Sequence, residues 1–174
     1  PDRDVERSKR QMFPEYKWER SDLDPKMFML EDVDMYTAWR QKVIDYKPDV
    51  IISSVVEDTY YLWRKFMDQV TDRKFISVAG GVFCTYFPQA FEGHVDYILR
   101  GEGDEVVPEL MDLISEGKDG HHLMNVHPNP MRPAMNVNNL PPTDHTIFDE
   151  RSLYRPFQGK IIKIATVETQ RGCP

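Results

Sequence analysis

The chain has 174 residues, of which 40% are hydrophobic, 29% are charged and 13 are proline, the profile of one globular domain with irregular extensions. Its 22 Lys and Arg against 29 Asp and Glu leave a net charge of −7, which argues against a non-specific nucleic-acid surface, because that affinity comes from cations neutralising phosphates. With only Cys84 and Cys173, nothing points to a disulfide framework and a reducing, cytoplasmic setting is the default; no run of about 18 apolar residues marks a membrane span and no signal-peptide pattern is present.

Residues 1–30 are charged, carry Pro14 and Pro25 and have no clean period, so an irregular arm or linker is expected there. Between Leu30 and Tyr46, the residues Tyr36, Trp39, Val43 and Tyr46 recur at helical spacing, which predicts an amphipathic helix. Lys47-Pro48-Asp49 stops it, since proline disfavours the helical state in the residue before it. Val50–Val56 is a β-branched run, apolar on both faces, as in a central parallel strand covered on each side. Residues 57–70 return to helical spacing with Trp63, Phe66, Met67 and Val70 on one face.

A second buried strand is expected at Phe75–Ala79, then a short helix near Pro88–Glu92 and a third strand at Val95–Leu99. The following helix turns Val106, Val107, Leu110, Leu113 and Ile114 inward, tolerates Pro108 near its first turn and ends at Gly117. Strand–helix repeats of this length pair in parallel through right-handed crossovers, giving an α/β fold with a Rossmann-like, doubly wound sheet over residues 31–118. Such domains usually open with a strand, and residues 1–30 offer none, so a first strand upstream of Pro1 is expected. Residues 119–160, rich in Pro, Asn and His, read as a linker, and the apolar run Ile161–Val167 as the start of a further domain over 161–174.

In an open α/β sheet, ligands bind outside the carboxyl ends of the strands. Three segments converge there: Ser53-Ser54 with Thr59; Gly80-Gly81-Val82-Phe83 with Thr85; and Arg100-Gly101-Glu102-Gly103. Glycine at a strand end lets backbone approach a ligand, and helix N-termini offer free N–H groups. Each segment alone reads as a tight turn; three in succession favour a nucleotide-like or corrinoid ligand.

Lys47-Pro48-Asp49 leading into Ile51-Ile52-Ser53-Ser54 resembles the "kPDvvgiS" entry of the cobalamin-binding domain in cobalamin-dependent radical S-adenosylmethionine enzymes, and Ala79–Thr85 looks like that family's "GGphpT" turn. Val95–Glu105 is similar to "vDyvvrGEGE" and is followed by Pro108-Glu109-Leu110. Asn139–Asp144 resembles the "dLPxPD" linker, and Gln170–Pro174 the "sRGCP" opening of the radical domain. The matches run in order over residues 47–174, and the GEG and RGCP blocks are the specific ones.

The resemblance implies a cobalamin-binding Rossmann-like domain ahead of a radical domain, in a chain that stops at the first cluster cysteine. Cys173 would be the first ligand of a Cys-x3-Cys-x2-Cys set holding a [4Fe–4S] cluster, whose open iron binds S-adenosylmethionine. Alone, Cys173 holds no cluster, so the radical chemistry needs residues beyond Pro174. The implied activity is methyl transfer, or a related cyclisation or rearrangement, on a small-molecule substrate chosen by C-terminal parts.

Other corrinoid proteins carry an Asp-x-His-x-x-Gly motif whose histidine ligates cobalt. Asp119-Gly120-His121-His122-Leu123-Met124 matches only its start and lies too late in the chain to reach a corrin. Val55, Val56 and Tyr60 are candidates to face the cobalt without ligating it. Cys84 reads as a small buried thiol, and His121, His122 and His127 as solvated histidines, because no acidic or cysteine cluster completes a metal site. Glu102 either hydrogen-bonds a corrin amide or caps the next helix. Two alternatives stay open: a cobalamin-free α/β domain of a radical enzyme, and a non-enzymatic flavodoxin-like binding module. Methylthiotransferases, whose α/β domain carries three cysteines, and receivers, which need a phosphoacceptor Asp, fit less well.

Overall fold

The computed structural model describes residues 33–72, 74–157 and 160–164. These described residues fall into two units, one within Asp32–Leu140 and the other after Leu140.

In the first unit, Asp34 caps helix α1 (Met35–Tyr46), its carboxylate accepting from the backbone N–H of Thr37 at 2.9 Å and from its hydroxyl at 3.0 Å. This cap sets the start five residues after Leu30, the first residue of the expected helix, because it satisfies an N–H that the first turn leaves unpaired. Lys47, with φ 51°, closes the helix by donating to Val43 O at 3.0 Å. Strand β1 (Val50–Ser54) follows, then a 3-10 turn (Glu57–Thr59), helix α2 (Tyr60–Asp68) and strand β2 (Ile76–Gly80). Helix α3 (Val82–Tyr86) starts directly after Gly81 and runs into a second 3-10 turn (Pro88–Phe91). Strand β3 (Tyr97–Ile98) and helix α4 (Val106–Ser115) come next.

The unit is therefore mixed α/β around a three-stranded parallel sheet in the order β1-β2-β3. β2 is central, pairing Val50–Ser54 with Ile76–Gly80 on one edge and Tyr97 and Ile98 with Val78 and Ala79 on the other. Its alternate side chains face opposite ways. Ala79 joins Val55, Trp63, Cys84, Phe91 and Ile98, a core built from α2 and α3. Val78 joins Tyr97, Leu99, Val106, Leu110 and Val126, which places α4 on the other face. α1 adds a smaller cluster of Val43, Ile51 and Val70, and its Trp39 indole donates to Phe66 O of α2 at 2.9 Å.

Two expectations change. β1 is not covered on both faces: Ile52, register partner of the buried Val78, is 49% exposed. β1 stands at the edge of the described sheet, and the Leu110 cluster reaches it only at Val50. Tyr46, expected on the inward stripe of α1, is likewise exposed.

The expected linker from residue 119 is, up to Leu140, part of the same unit. Leu99 bridges Val126 antiparallel, Arg100 N donates to Asn125 O at 2.8 Å and His127 N to Ile98 O at 2.9 Å. The segment thus closes the outer edge of β3 and buries Val126 completely. Its Pro and Asn content reads as a linker because no apolar period runs through it; one buried valine and a set of backbone bonds are enough to hold it. Arg132 fastens it to α4 through Glu109 at 3.0 Å and Glu105 at 3.3 Å.

The described part of the second unit contains 3-10 turns at His145–Ile147 and Glu150–Leu153 and an antiparallel hairpin, β4 (Tyr154–Phe157) with β5 (Lys160–Lys163). Lys163 Nζ meets Glu150 Oε1 at 2.8 Å. The expected strand at Ile161–Val167 is β5 as far as Lys163; residues 165–167 lie outside the described residues. No helix among the described residues is long and apolar enough to cross a membrane.

Phe91 is fully buried between α2 and the sheet. Phe91→Ala is expected to cost about 3–5 kcal/mol in urea unfolding, against less than about 0.5 kcal/mol for Tyr46→Ala on the exposed surface.

Candidate functional site

All three strands run the same way, so the segments that follow them share one edge of the sheet. There Val55 N donates to Gly80 O at 2.9 Å and Phe83 N to Val55 O at 3.2 Å, locking the chain after β1 to the chain after β2. Gly81 makes this possible. Its backbone (φ 98°, ψ −176°) is one that residues with a Cβ avoid, and a Cβ would sit 2.8 Å from both Val55 N and O and 3.0 Å from Ser54 Oγ.

Thr85 joins the second segment to the third: its hydroxyl donates to Gly81 O and accepts from Gly101 N, both at 2.9 Å. Arg100 Nε points at Thr85 O at 3.5 Å. The structure thus brings Ser53-Ser54, Gly80-Gly81, Thr85 and Arg100-Gly101 onto a single rim.

The sequence-predicted residues serve that rim in different ways. The close approaches at Gly81 and Gly101 are of chain to chain: a Cβ on Gly101 would meet Asn125 Nδ2 at 3.1 Å and Met131 Sδ at 3.4 Å. Thr59 folds its hydroxyl onto its own turn, accepting from Val56 N at 3.3 Å and donating to Val56 O at 3.1 Å. Phe83 points into the core against Tyr60, Phe91 and Phe87, with centroids 5.2, 5.7 and 5.4 Å away. Glu102 accepts from Met135 N at 2.6 Å, so this carboxylate braces the 119–140 segment. Gly103 packs against Val107, whose Cγ2 lies 3.3 Å from a Cβ position there.

Of Val55, Val56 and Tyr60, only Val56 is exposed. Val55 is buried, and the Tyr60 hydroxyl donates to Ala90 O at 2.6 Å.

Exposed along the rim are Ser54, Val56, Glu57, Asp58 and Thr59 after β1, Val82 and Tyr86 of α3, Gly101, Asp104 and Glu105 after β3, and Met131 beside Gly101. Sequence reasoning missed Tyr86, although its place four residues after Val82 puts both on one face of α3. It also missed Asn125 and Met131, since nothing in a linker-like stretch ties them to Gly101.

His121 stacks on Tyr97 with centroids 4.4 Å apart and sits 2.5 Å from Asp119 and 3.1 Å from Asp96 O. Asp96 precedes β3, so this histidine lies at the amino edge of the sheet, opposite the rim. The Asp119 carboxyl is held below its usual range, first by its hydrogen bond with His121. No cluster of three or more His, Cys, Asp or Glu suited to a metal occurs among the described residues. Cys173 lies outside them.

Cys84 is fully buried against Trp63 and Phe91, and desolvation pushes its thiol up to about 12. Thiolate is the reactive form, so in a Cys173→Ser chain Cys84 is expected to stay unlabelled by a thiol reagent between about pH 7 and 9 and to react only on unfolding. Gly81→Ala is expected to lose about 1–3 kcal/mol from backbone strain alone, and Gly103→Ala less than about 1 kcal/mol, both read from denaturant midpoints. In comparisons with known proteins, the chain matches no protein-family model, no curated protein and no solved structure.

Proposed function

We propose that residues 32–140 are a cobalamin-binding domain of Rossmann-like, doubly wound type, serving a radical S-adenosylmethionine enzyme whose reaction class is methyl transfer to a small-molecule substrate in the cytoplasm. The observation that supports this reading is the rim itself: three parallel strand ends tied edge to edge, with the apolar Val56, Val82 and Tyr86 and the Ser54 hydroxyl among the side chains turned outward. A corrin is broad and apolar on its faces and carries amides around its margin, and this surface suits both. When bound, cobalamin supplies a methyl carrier.

In this reading the chain's own residues bind and orient. Val56, Val82 and Tyr86 exclude water from the ligand face, and the Ser54 hydroxyl meets a side amide. Thr85 keeps the second and third turns in register. None of the three strand-end segments contains a histidine. Gln170–Pro174 extends the reading to a [4Fe–4S] cluster and S-adenosylmethionine, with Cys173 as one thiolate ligand.

Gly81, Gly101 and Glu102 are engaged by the chain itself, which favours as second reading an α/β domain of a radical enzyme that holds no cobalamin. Spectrophotometric titration with hydroxocobalamin separates the two. One equivalent per chain with a base-off spectrum is expected, and Val82→Asp should raise Kd about tenfold, or about 1.4 kcal/mol. A spectrum that stays that of free hydroxocobalamin leaves the second reading in place.

A further inference from the structure

We infer that Asn125 is the positioning residue of the corrinoid rim, setting the shape of the loop Arg100–Gly103 from outside it; this rests on the reading above. Asn125 is 2% exposed and adopts φ 71°, a left-handed conformation that asparagine tolerates better than most residues. From there its side chain reaches three backbone groups. Nδ2 donates to Arg100 O at 2.7 Å and to Glu102 O at 3.3 Å, on either side of Gly101, while Oδ1 accepts from Arg132 N at 3.0 Å.

Two acceptors on one side and a donor on the other fix the amide's orientation, and a carboxylate cannot replace it. The backbone adds two bonds: Arg100 N donates to Asn125 O at 2.8 Å, and Asn125 N to Pro130 O at 3.0 Å.

Gly101 is thereby held with φ 73°, its N–H presented to Thr85, whose hydroxyl in turn binds Gly81 O. One buried amide thus governs the third segment of the rim and, through Thr85, its alignment with the second. Substitution there is expected to change ligand binding although Asn125 itself is enclosed.

The experiment uses the 174-residue chain with two readouts, hydroxocobalamin affinity and amide hydrogen exchange. Asn125→Gly keeps the backbone conformation and removes the side chain. It should raise Kd about tenfold and speed exchange at Gly101 and Gly103 by about the same factor, with Val78 and Ala79 in β2 unchanged. Asn125→Asp, which keeps an acceptor and loses both donors, should give the same two shifts and serves if the glycine variant does not fold. Arg132→Ala, which cuts the ion pairs to α4, should leave Kd unchanged, separating a general loosening of the segment from control of the loop. Unchanged loop exchange in both Asn125 variants overturns the inference, and so does faster exchange with unaltered Kd. Failure of the unsubstituted chain to bind hydroxocobalamin overturns the corrinoid reading instead, and the exchange data then decide alone whether Asn125 holds the loop.

Discussion

Strand β2 is hydrogen-bonded along both edges and buried on both faces, and the rest of the Asp32–Leu140 unit is placed by it. A buried strand cannot leave its backbone groups unpaired, so β1 and β3 must flank it, and the period of two sends Ala79 to one core and Val78 to the other. Once parallel pairing is set, the carboxyl ends of all three strands fall on one edge. The rim is a consequence of that constraint, whatever occupies it.

Most of the polar chemistry near the rim is spent inside the chain. Thr85, Glu102 and Asn125 form hydrogen bonds that hold three turns together, and the glycines allow those turns to touch. Polar residues and glycines at strand ends therefore have two physical uses: approach of a ligand to the chain, and approach of the chain to itself.

Much of the element order was legible in the sequence. The β-branched runs at Val50 and Ile76 and the helical stripes of Trp63 and Leu110 each report on a local period, which neighbouring residues carry between them. Helix α3 was not legible, because five residues after Gly-Gly hold too few turns to show a period. The exposure of Ile52 was not legible either, since an apolar run has the same composition at a sheet edge as at its centre.

The sequence by itself determined β1 to β3, α2 and α4, most of the inward faces of those two helices, and the clustering of Gly, Ser and Thr at strand ends, because these follow from periodicity and from the backbone freedom of particular residues. Only the tertiary structure decided which of those end residues face outward, that Glu102 braces the 119–140 segment, and that Asn125 reaches across to Arg100 and Glu102. Those assignments depend on contacts between residues some twenty to thirty positions apart, and a pattern confined to neighbouring residues carries no record of such contacts.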